Sequence, residues 1–156
     1  MIEHTLGTRK VLVVGLQNSV CAVPLALVIE TMRPLPVEPV FGLPSFVQGI
    51  SIIRGIPTPV VDLGAVLGTH SDLVERFVTV RVADKQVALS VNTVIGVRDL
   101  DASLTNQGLP PLLQRASKDV VAMIGTLDKQ VLMVLEEAWE LPDEVWQALT
   151  VQGAVS

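Results

Sequence analysis

The chain combines a length of 156 residues with a formal net charge of −5, and 49% of its residues are hydrophobic while only 17% are charged. This length suits one domain or two small subdomains, and the single cysteine, Cys21, excludes an internal disulfide. The distant histidines His4 and His70 give no metal-ligand spacing, and the acidic balance with 3% aromatic residues argues against nucleic acid as a partner. We therefore expect no metal or cofactor, and either a very large core or apolar surface kept for protein partners.

The N-terminal residues carry no pattern typical of a targeting signal. Residues 1–5 lack a basic region followed by an apolar core of signal-peptide length. No apolar run in the chain approaches the roughly eighteen residues that a membrane span requires. The sequence therefore predicts a soluble, cytoplasmic protein without direct membrane insertion.

Two hairpins of similar sequence are predicted along the chain. Each has two valine-rich strands joined by a short polar turn, and each continues into a further apolar strand. At one constant offset, Leu16 matches Val82 and Ala22 matches Ala88, so the first hairpin is predicted to occur twice. The predicted strands are residues 11–16, 20–25 and 26–32 in the first copy and 77–82, 87–91 and 92–97 in the second.

The segment at residues 46–63 predicts two β-branched strands joined by a turn at residues 55–57. An arginine, Arg54, ends the first of these strands. Because an unpaired charge is costly away from water, we expect Arg54 to form a structural ion pair with Glu30 or Asp62, to contact a partner, or both. Gly49 is most simply a turn or bulge glycine, at a position that refuses a side chain.

This segment has a counterpart near the end of the chain. Residues 124–135 again predict strand, turn and strand, and the predicted alignment matches Val60 with Leu132. Each copy continues into a short helical piece, at residues 64–68 and 136–141. Because strands this short cannot shield both faces as an open sheet, we expect the two β-rich halves to close into small barrels.

The remaining segments predict connections and one further helix. Residues 33–44 carry four prolines and predict an extended connection, to which residues 109–119 correspond in the second half. Residues 69–72 are the predicted boundary between the halves. Apolar residues at helical spacing predict a C-terminal helix at residues 142–149.

The segment at residues 46–63 also carries a recognisable signature. Two further motifs, Val28-x-Glu30 and Gly125-x-Leu127-Asp128, precede and follow it in the expected order. Together these motifs resemble those of the CheW family, the coupling adaptors of bacterial chemosensory arrays, over about residues 10–141. The matching residues of the signature are Phe46, Val47, Gly49, Ile50, Ile53, Arg54, Gly55, Pro59, Val60, Val61, Asp62 and Leu63.

The resemblance implies a mainly β fold within a single CheW-like domain of residues 1–156. Two intertwined five-stranded SH3-like β-barrels would pack on each other, with short helical connections and a C-terminal helix. The approximate division is a first barrel at residues 10–70, a second at residues 71–141, and the C-terminal helix and tail at residues 142–156. The chain is able to cross between the two barrels in such a fold.

The resemblance also implies a function as a non-enzymatic scaffold. Such an adaptor couples the cytoplasmic tip of a chemoreceptor, a methyl-accepting chemotaxis protein, to a CheA-type histidine kinase at membrane-associated receptor arrays. The apolar residues implied in these contacts also suit core positions, since apolar residues in strands usually face inward. The implied contact residues are Val28, Gly49 and Arg54 for the kinase, and Leu27, Ile29, Val91 and Val94 for the receptor groove between the barrels.

The sequence departs from the family pattern at three places. Pro24 stands where an aspartate is often found, Gly64 where an arginine is common, and Asn92-Thr93 where the family often has an acid-glycine pair. These departures remove no strand but bear on both partner surfaces. An adaptor of a type IV pilus twitching system fits the sequence equally well, and a small β-barrel that binds an apolar ligand is a further alternative.

An enzyme is not expected. The tripeptide Asp62-Leu63-Gly64 resembles an aspartic-protease loop, but Leu63 lacks the hydroxyl group that such a loop needs after the aspartate. The sequence contains no Gly-x-Ser-x-Gly elbow and no glycine-rich loop of the kind that binds phosphate.

Overall fold

Ten strands form two five-stranded sheets in the computed structural model, which describes residues 8–68, 73–101 and 120–151. The predicted boundary at residues 69–72 and the predicted connection at residues 109–119 lie outside the described residues. The elements in chain order are β1 (Thr8–Gly15), β2 (Ser19–Pro24), a 3₁₀ turn (Leu25–Leu27), β3 (Val28–Met32), β4 (Val47–Ile53), β5 (Ile56–Asp62), α1 (Leu63–Val66), β6 (Arg76–Val82), β7 (Lys85–Val91), β8 (Thr93–Asp101), β9 (Val121–Leu127), β10 (Gln130–Leu135) and α2 (Asp143–Val151).

The two sheets exchange strands between the halves of the chain. The first sheet has the order β8-β1-β2-β10-β9, and the second has the order β3-β6-β7-β5-β4. The predicted barrel limits, residues 10–70 and 71–141, therefore do not coincide with the sheets. In the first sheet β2 pairs in parallel with β10, and in the second β7 pairs in parallel with β5. Two parallel strands cannot be joined by a tight turn, so each of these pairs brings together strands that are distant in the sequence. The predicted fold class, mainly β with two intertwined five-stranded units and a C-terminal helix, is confirmed.

The hairpin repeat is visible in the strand register. Gly15 pairs with Val20 in the first hairpin, and Arg81 pairs with Gln86 in the second, which is the same offset that matches Leu16 with Val82. The strand that follows each hairpin continues the repeat, since β3 and β8 each carry a register irregularity at the same place in the copy. The two halves of the chain therefore share one backbone plan.

The second pair of repeated strands has a different offset from the one predicted. Val47 pairs with Val61 in β4 and β5, and Val121 pairs with Leu135 in β9 and β10. Val60 is therefore equivalent to Val134. The predicted match of Val60 with Leu132 is wrong by two residues, which is one period of side-chain alternation along a strand. Such a shift leaves every side chain on the same face of a strand, so apolar alternation alone does not detect it.

Three hairpins of the structure close through turns of two residues. Both turn residues have positive φ angles at Arg54 and Gly55, as they do at residues 83–84 and 128–129. Such turns match the twist of the flanking strands and favour tight antiparallel pairing. Arg54 is therefore a turn residue, and β5 begins at Ile56 instead of after the predicted turn at residues 55–57.

The largest hydrophobic core lies between the two sheets, and each sheet encloses a smaller core of its own. In β1, Val11 and Val13 face the interior of the first sheet, whereas Leu12 and Val14 join the core shared with the second sheet and α2. Strands buried on both faces need apolar residues at successive positions, which explains the low charged fraction of the chain. The interior of the second sheet is occupied by Phe77 and its neighbours.

The helical segments differ from the sequence prediction in one place. The predicted piece at residues 64–68 corresponds to α1, but residues 136–141 form a turn in which the Trp139 amide donates to the Glu136 carbonyl oxygen. Pro142 disfavours a helical conformation at the preceding residue, so the helix begins only at Asp143. No helix among the described residues is long and apolar enough to cross a membrane.

Candidate functional site

Arg54 forms a bidentate ion pair with Glu30. Nε and Nη2 of Arg54 donate to the two carboxylate oxygens of Glu30 at 2.6 and 2.8 Å. Glu30 belongs to β3 and Arg54 follows β4, and these strands are the two edges of the second sheet. The ion pair therefore connects the edges that the backbone ladder leaves open, which brings the sheet toward a closed barrel.

The repeat does not reproduce this ion pair in the first sheet. The position equivalent to Glu30 in the hairpin repeat is Gly96, and the position equivalent to Arg54 in the second repeat is Asp128. The second sheet therefore has an electrostatic contact between its edges that the equivalent residues of the first sheet lack.

Asp62 lies beside α1 and is buried. Its carboxylate accepts a hydrogen bond from the Ala65 amide at 3.1 Å, which caps the N-terminus of α1. The sequence predicted that Arg54 would pair with Glu30 or Asp62, and in the structure Glu30 makes the bidentate contact.

We expect the stability that this ion pair contributes to be lost as pH falls. The hydrogen bond from Arg54 lowers the pKa of Glu30 below its ordinary value of 4.5. Stabilisation is therefore present above about pH 4.5 and is lost as pH falls through the lower pKa of the folded state. Thermal midpoints of the wild type and of Glu30→Gln should differ near pH 7 and converge once the pH lies below the lowered pKa of Glu30. Arg54→Asn, which tolerates the positive φ angle, should show the same convergence, and a difference that persists in acid would contradict the assignment.

Gly49 lies where the proline-rich connection crosses β4. The amide of Glu38 donates to the Ile50 carbonyl at 2.7 Å, and the Ile50 amide donates back at 2.9 Å. Gly49 is buried with a φ angle of +145°, and a Cβ atom there would lie 2.1 Å from the Glu38 carbonyl oxygen. The position is a β-bulge that only glycine fits, so Gly49 presents no side chain to a partner.

The predicted receptor-groove residues differ in accessibility. Ile29 is exposed, with 42% of its surface accessible, whereas Val91 is buried at 1%. Leu27 and Val94 are half-buried, as is Val28 of the predicted kinase contact, and all three pack against the core between the sheets. Ile29 and the outer parts of Leu27 and Val94 are therefore accessible, whereas Val91 belongs to the core.

Two exposed apolar residues flank the Arg54 turn and were not among the predicted site residues. Ile52 is 60% exposed and Ile56 is 46% exposed, and the Arg54 side chain between them is 73% exposed. Alternation along β4 requires that Ile52 and Ile53 face opposite sides, so one of the two had to face outward. The sequence did not indicate which, because both are isoleucines.

Cys21 is buried in the core between the sheets. Burial raises the pKa of the Cys21 thiol to about 12, so this cysteine is protonated and unreactive at neutral pH. Within residues 8–68, 73–101 and 120–151, no group of three or more histidine, cysteine, aspartate or glutamate side chains is placed to hold a metal ion.

Comparison with known proteins gives one family and one fold. A family model described as the CheW-like domain matches residues 10–138, which confirms the resemblance found in the sequence. No curated protein sequence matches the chain. The structure is similar to the crystal structure of the scaffolding protein TtCheW from Thermoanaerobacter tengcongensis, with a TM-score of 0.69 and 21% sequence identity over 82% of this chain and 88% of that chain.

Proposed function

Because this chain belongs to the CheW-like domain family, we propose that it couples chemoreceptors to a CheA-type histidine kinase. Proteins of this family are scaffolding adaptors and not enzymes, and the chain would act in the cytoplasm at membrane-associated receptor arrays. The observation that carries the proposal is the family match over residues 10–138. Signalling would follow from the geometry in which the adaptor holds its partners.

The kinase contact would use the patch around the Arg54 turn. This patch combines one exposed guanidinium group with the exposed side chains of Ile52 and Ile56. Arginine and apolar side chains around a rigid centre suit a protein interface, and the ion pair to Glu30 holds the turn in one position. Val28 lies two positions from Glu30 on the same edge strand and contributes a half-buried apolar surface.

The receptor contact would use the apolar surface around Ile29. An amphipathic receptor helix would pack its apolar side chains against such a surface. The exposed atoms of the half-buried residues Leu27 and Val94 would extend this surface. Interfaces of this kind bury on the order of 1,000 to 1,600 Å². The two partner contacts would use different residues, as an adaptor that binds both at once requires.

A charge swap separates the structural role of Arg54 from its role in kinase binding. Arg54→Glu alone should lower the thermal midpoint and abolish kinase capture, because two carboxylates then face each other. The double variant Arg54→Glu with Glu30→Arg restores an ion pair of reversed polarity. We expect it to recover the thermal midpoint and to capture receptor tips as the wild type does, while kinase capture stays at least about tenfold weaker than in the wild type.

The readouts are pull-downs against a CheA-type kinase and a receptor cytoplasmic tip, with thermal melting of each variant. Full recovery of kinase capture in the double variant would show that Arg54 acts only through the fold and would contradict the kinase patch. Capture of neither partner by the wild type would contradict the proposed function. Capture of the receptor and kinase of a type IV pilus system instead would favour a twitching adaptor.

A further inference from the structure

An open cleft of about 760 Å³ lies where the segment after β10 meets α1 and the residues before β4. None of the residues assigned above to kinase or receptor contact lines it. Phe46 and Val120 both line the cleft, and they are equivalent positions in the repeat that relates Val47 to Val121. The cleft is therefore formed where equivalent corners of the two halves come together. Its volume falls within the range of about 300 to 1,000 Å³ that ligand-binding sites occupy.

The two corners contribute different chemistry to this cleft. Phe46 and Val66 from the first corner are apolar and half-buried, and so is Val120. All three charged residues that line the cleft within the described part of the chain are carboxylates from the segment after β10, and they are Glu136, Glu140 and Asp143. One part of the cleft is therefore apolar and another is acidic.

Among the described residues, no lysine or arginine forms an ion pair with the carboxylates of the acidic part. Residues 136–144 contain five carboxylates and no lysine or arginine. The ion pairs found among the described residues, Lys10 with Asp99 and Arg54 with Glu30, involve none of them. Glu136 accepts a hydrogen bond from the Ala138 amide, whereas Glu140 and Asp143 are exposed. The chemistry that complements this cleft is therefore an apolar group beside a positive charge.

We propose that this cleft docks a cationic amphipathic segment of a partner protein, with apolar side chains against Phe46, Val66 and Val120 and basic side chains beside Glu140 and Asp143. The proposal goes beyond the adaptor function, because it adds a docking site apart from the residues proposed to contact the kinase and the receptor. An amphipathic segment whose basic residues border its apolar face offers both kinds of side chain to one cleft.

Tryptophan fluorescence gives a direct measurement of binding at this cleft. The chain contains two tryptophans, and Trp139 lines the cleft, so Trp146→Phe leaves one reporter at the proposed site. The probe is a synthetic peptide of leucine and lysine at amphipathic helical spacing. We expect a saturable fluorescence change whose apparent Kd rises with salt, because exposed charges contribute to binding.

Two charge-matched double variants, each made in the Trp146→Phe background, decide whether the cleft is the site. Glu140→Gln with Asp143→Asn should weaken peptide binding roughly five- to tenfold. Glu75→Gln with Asp84→Asn removes the same charge from residues that do not line this cleft, and it should leave the Kd unchanged. Should the Asp143 substitution lower the thermal midpoint through the first turn of α2, the single variant Glu140→Gln should still weaken binding.

Three outcomes would overturn the proposal. Equal weakening in both double variants would show that the peptide responds only to net charge. Equal binding of a control peptide with glutamate in place of lysine would show that the carboxylates do not select a cation. A Trp139 fluorescence spectrum that the lysine peptide leaves unchanged would show that the cleft does not bind it. Each result is independent of the pull-downs with kinase and receptor.

Discussion

Replacement of Gly49 by alanine is expected to lower the free energy of unfolding by about 3 kcal/mol or more. The φ angle of +145° is one that residues with a Cβ atom rarely adopt, and the added Cβ would lie 2.1 Å from the Glu38 carbonyl oxygen. That oxygen belongs to backbone that two hydrogen bonds with Ile50 hold in place, so it cannot move away without losing them. Urea denaturation of the variant and the wild type measures the loss.

The matched control is Gly55→Ala. Gly55 also has a positive φ angle, +77°, but no heavy atom lies within 4 Å of the Cβ position. We expect a cost of only about 1 to 2 kcal/mol, from the left-handed backbone alone. Equal losses in the two variants would contradict the role of Gly49 at the crossing. Any Gly49 variant that loses kinase binding would report on the fold, so this position cannot map a partner surface.

Replacement of Phe77 by alanine should cost about 3 to 5 kcal/mol of unfolding free energy. Phe77 is 1% exposed, and it packs inside the second sheet with Ile53, Val60 and Ala88. The strands around it are held by backbone ladders on β6 and its neighbours, so they cannot collapse into the space that the ring leaves. Denaturant unfolding measures the effect. The dependence of the unfolding free energy on denaturant concentration is compared between the variants.

The matched control for Phe77→Ala is the same substitution at the surface. Phe41→Ala makes the same chemical change at a side chain that is 89% exposed, and it should alter the unfolding free energy by no more than about 0.5 kcal/mol. A loss below about 1 kcal/mol in Phe77→Ala would mean that the interior of the second sheet relaxes readily, against the packing described above.

Glu30, Gly49 and Arg54 show how far sequence reasoning reached at the candidate site. A charged residue beside a buried strand needs a compensating partner, and the sequence predicted an ion pair of Arg54 with Glu30 or Asp62. A glycine inside an apolar strand indicated a bulge, which is what Gly49 forms. The crossing backbone of Glu38 could not be foreseen, because it comes from the proline-rich connection.

Val91 and Ile29 show why the partner surfaces could not be assigned from the sequence. Both are β-branched residues in apolar strands, yet one is 1% exposed and the other 42% exposed. The strands of this chain are apolar on both faces, so alternation does not distinguish the core from the surface. The cleft near Trp139 was also missed, since its acidic residues occurred in a segment predicted to be a helix.

The sequence by itself determined the strand content, the duplicated hairpin and the need for a partner at Arg54, and the resemblance of its motifs identified the family. These follow from patterns within a short stretch or from an ordered set of motifs along the chain. The tertiary structure alone decided that the halves exchange strands, that Gly49 and Val91 are inaccessible, and that an acidic segment faces an apolar corner. Those features depend on which distant segments become neighbours. Short valine-rich strands can pair with one another in several registers and orders at similar local free energy.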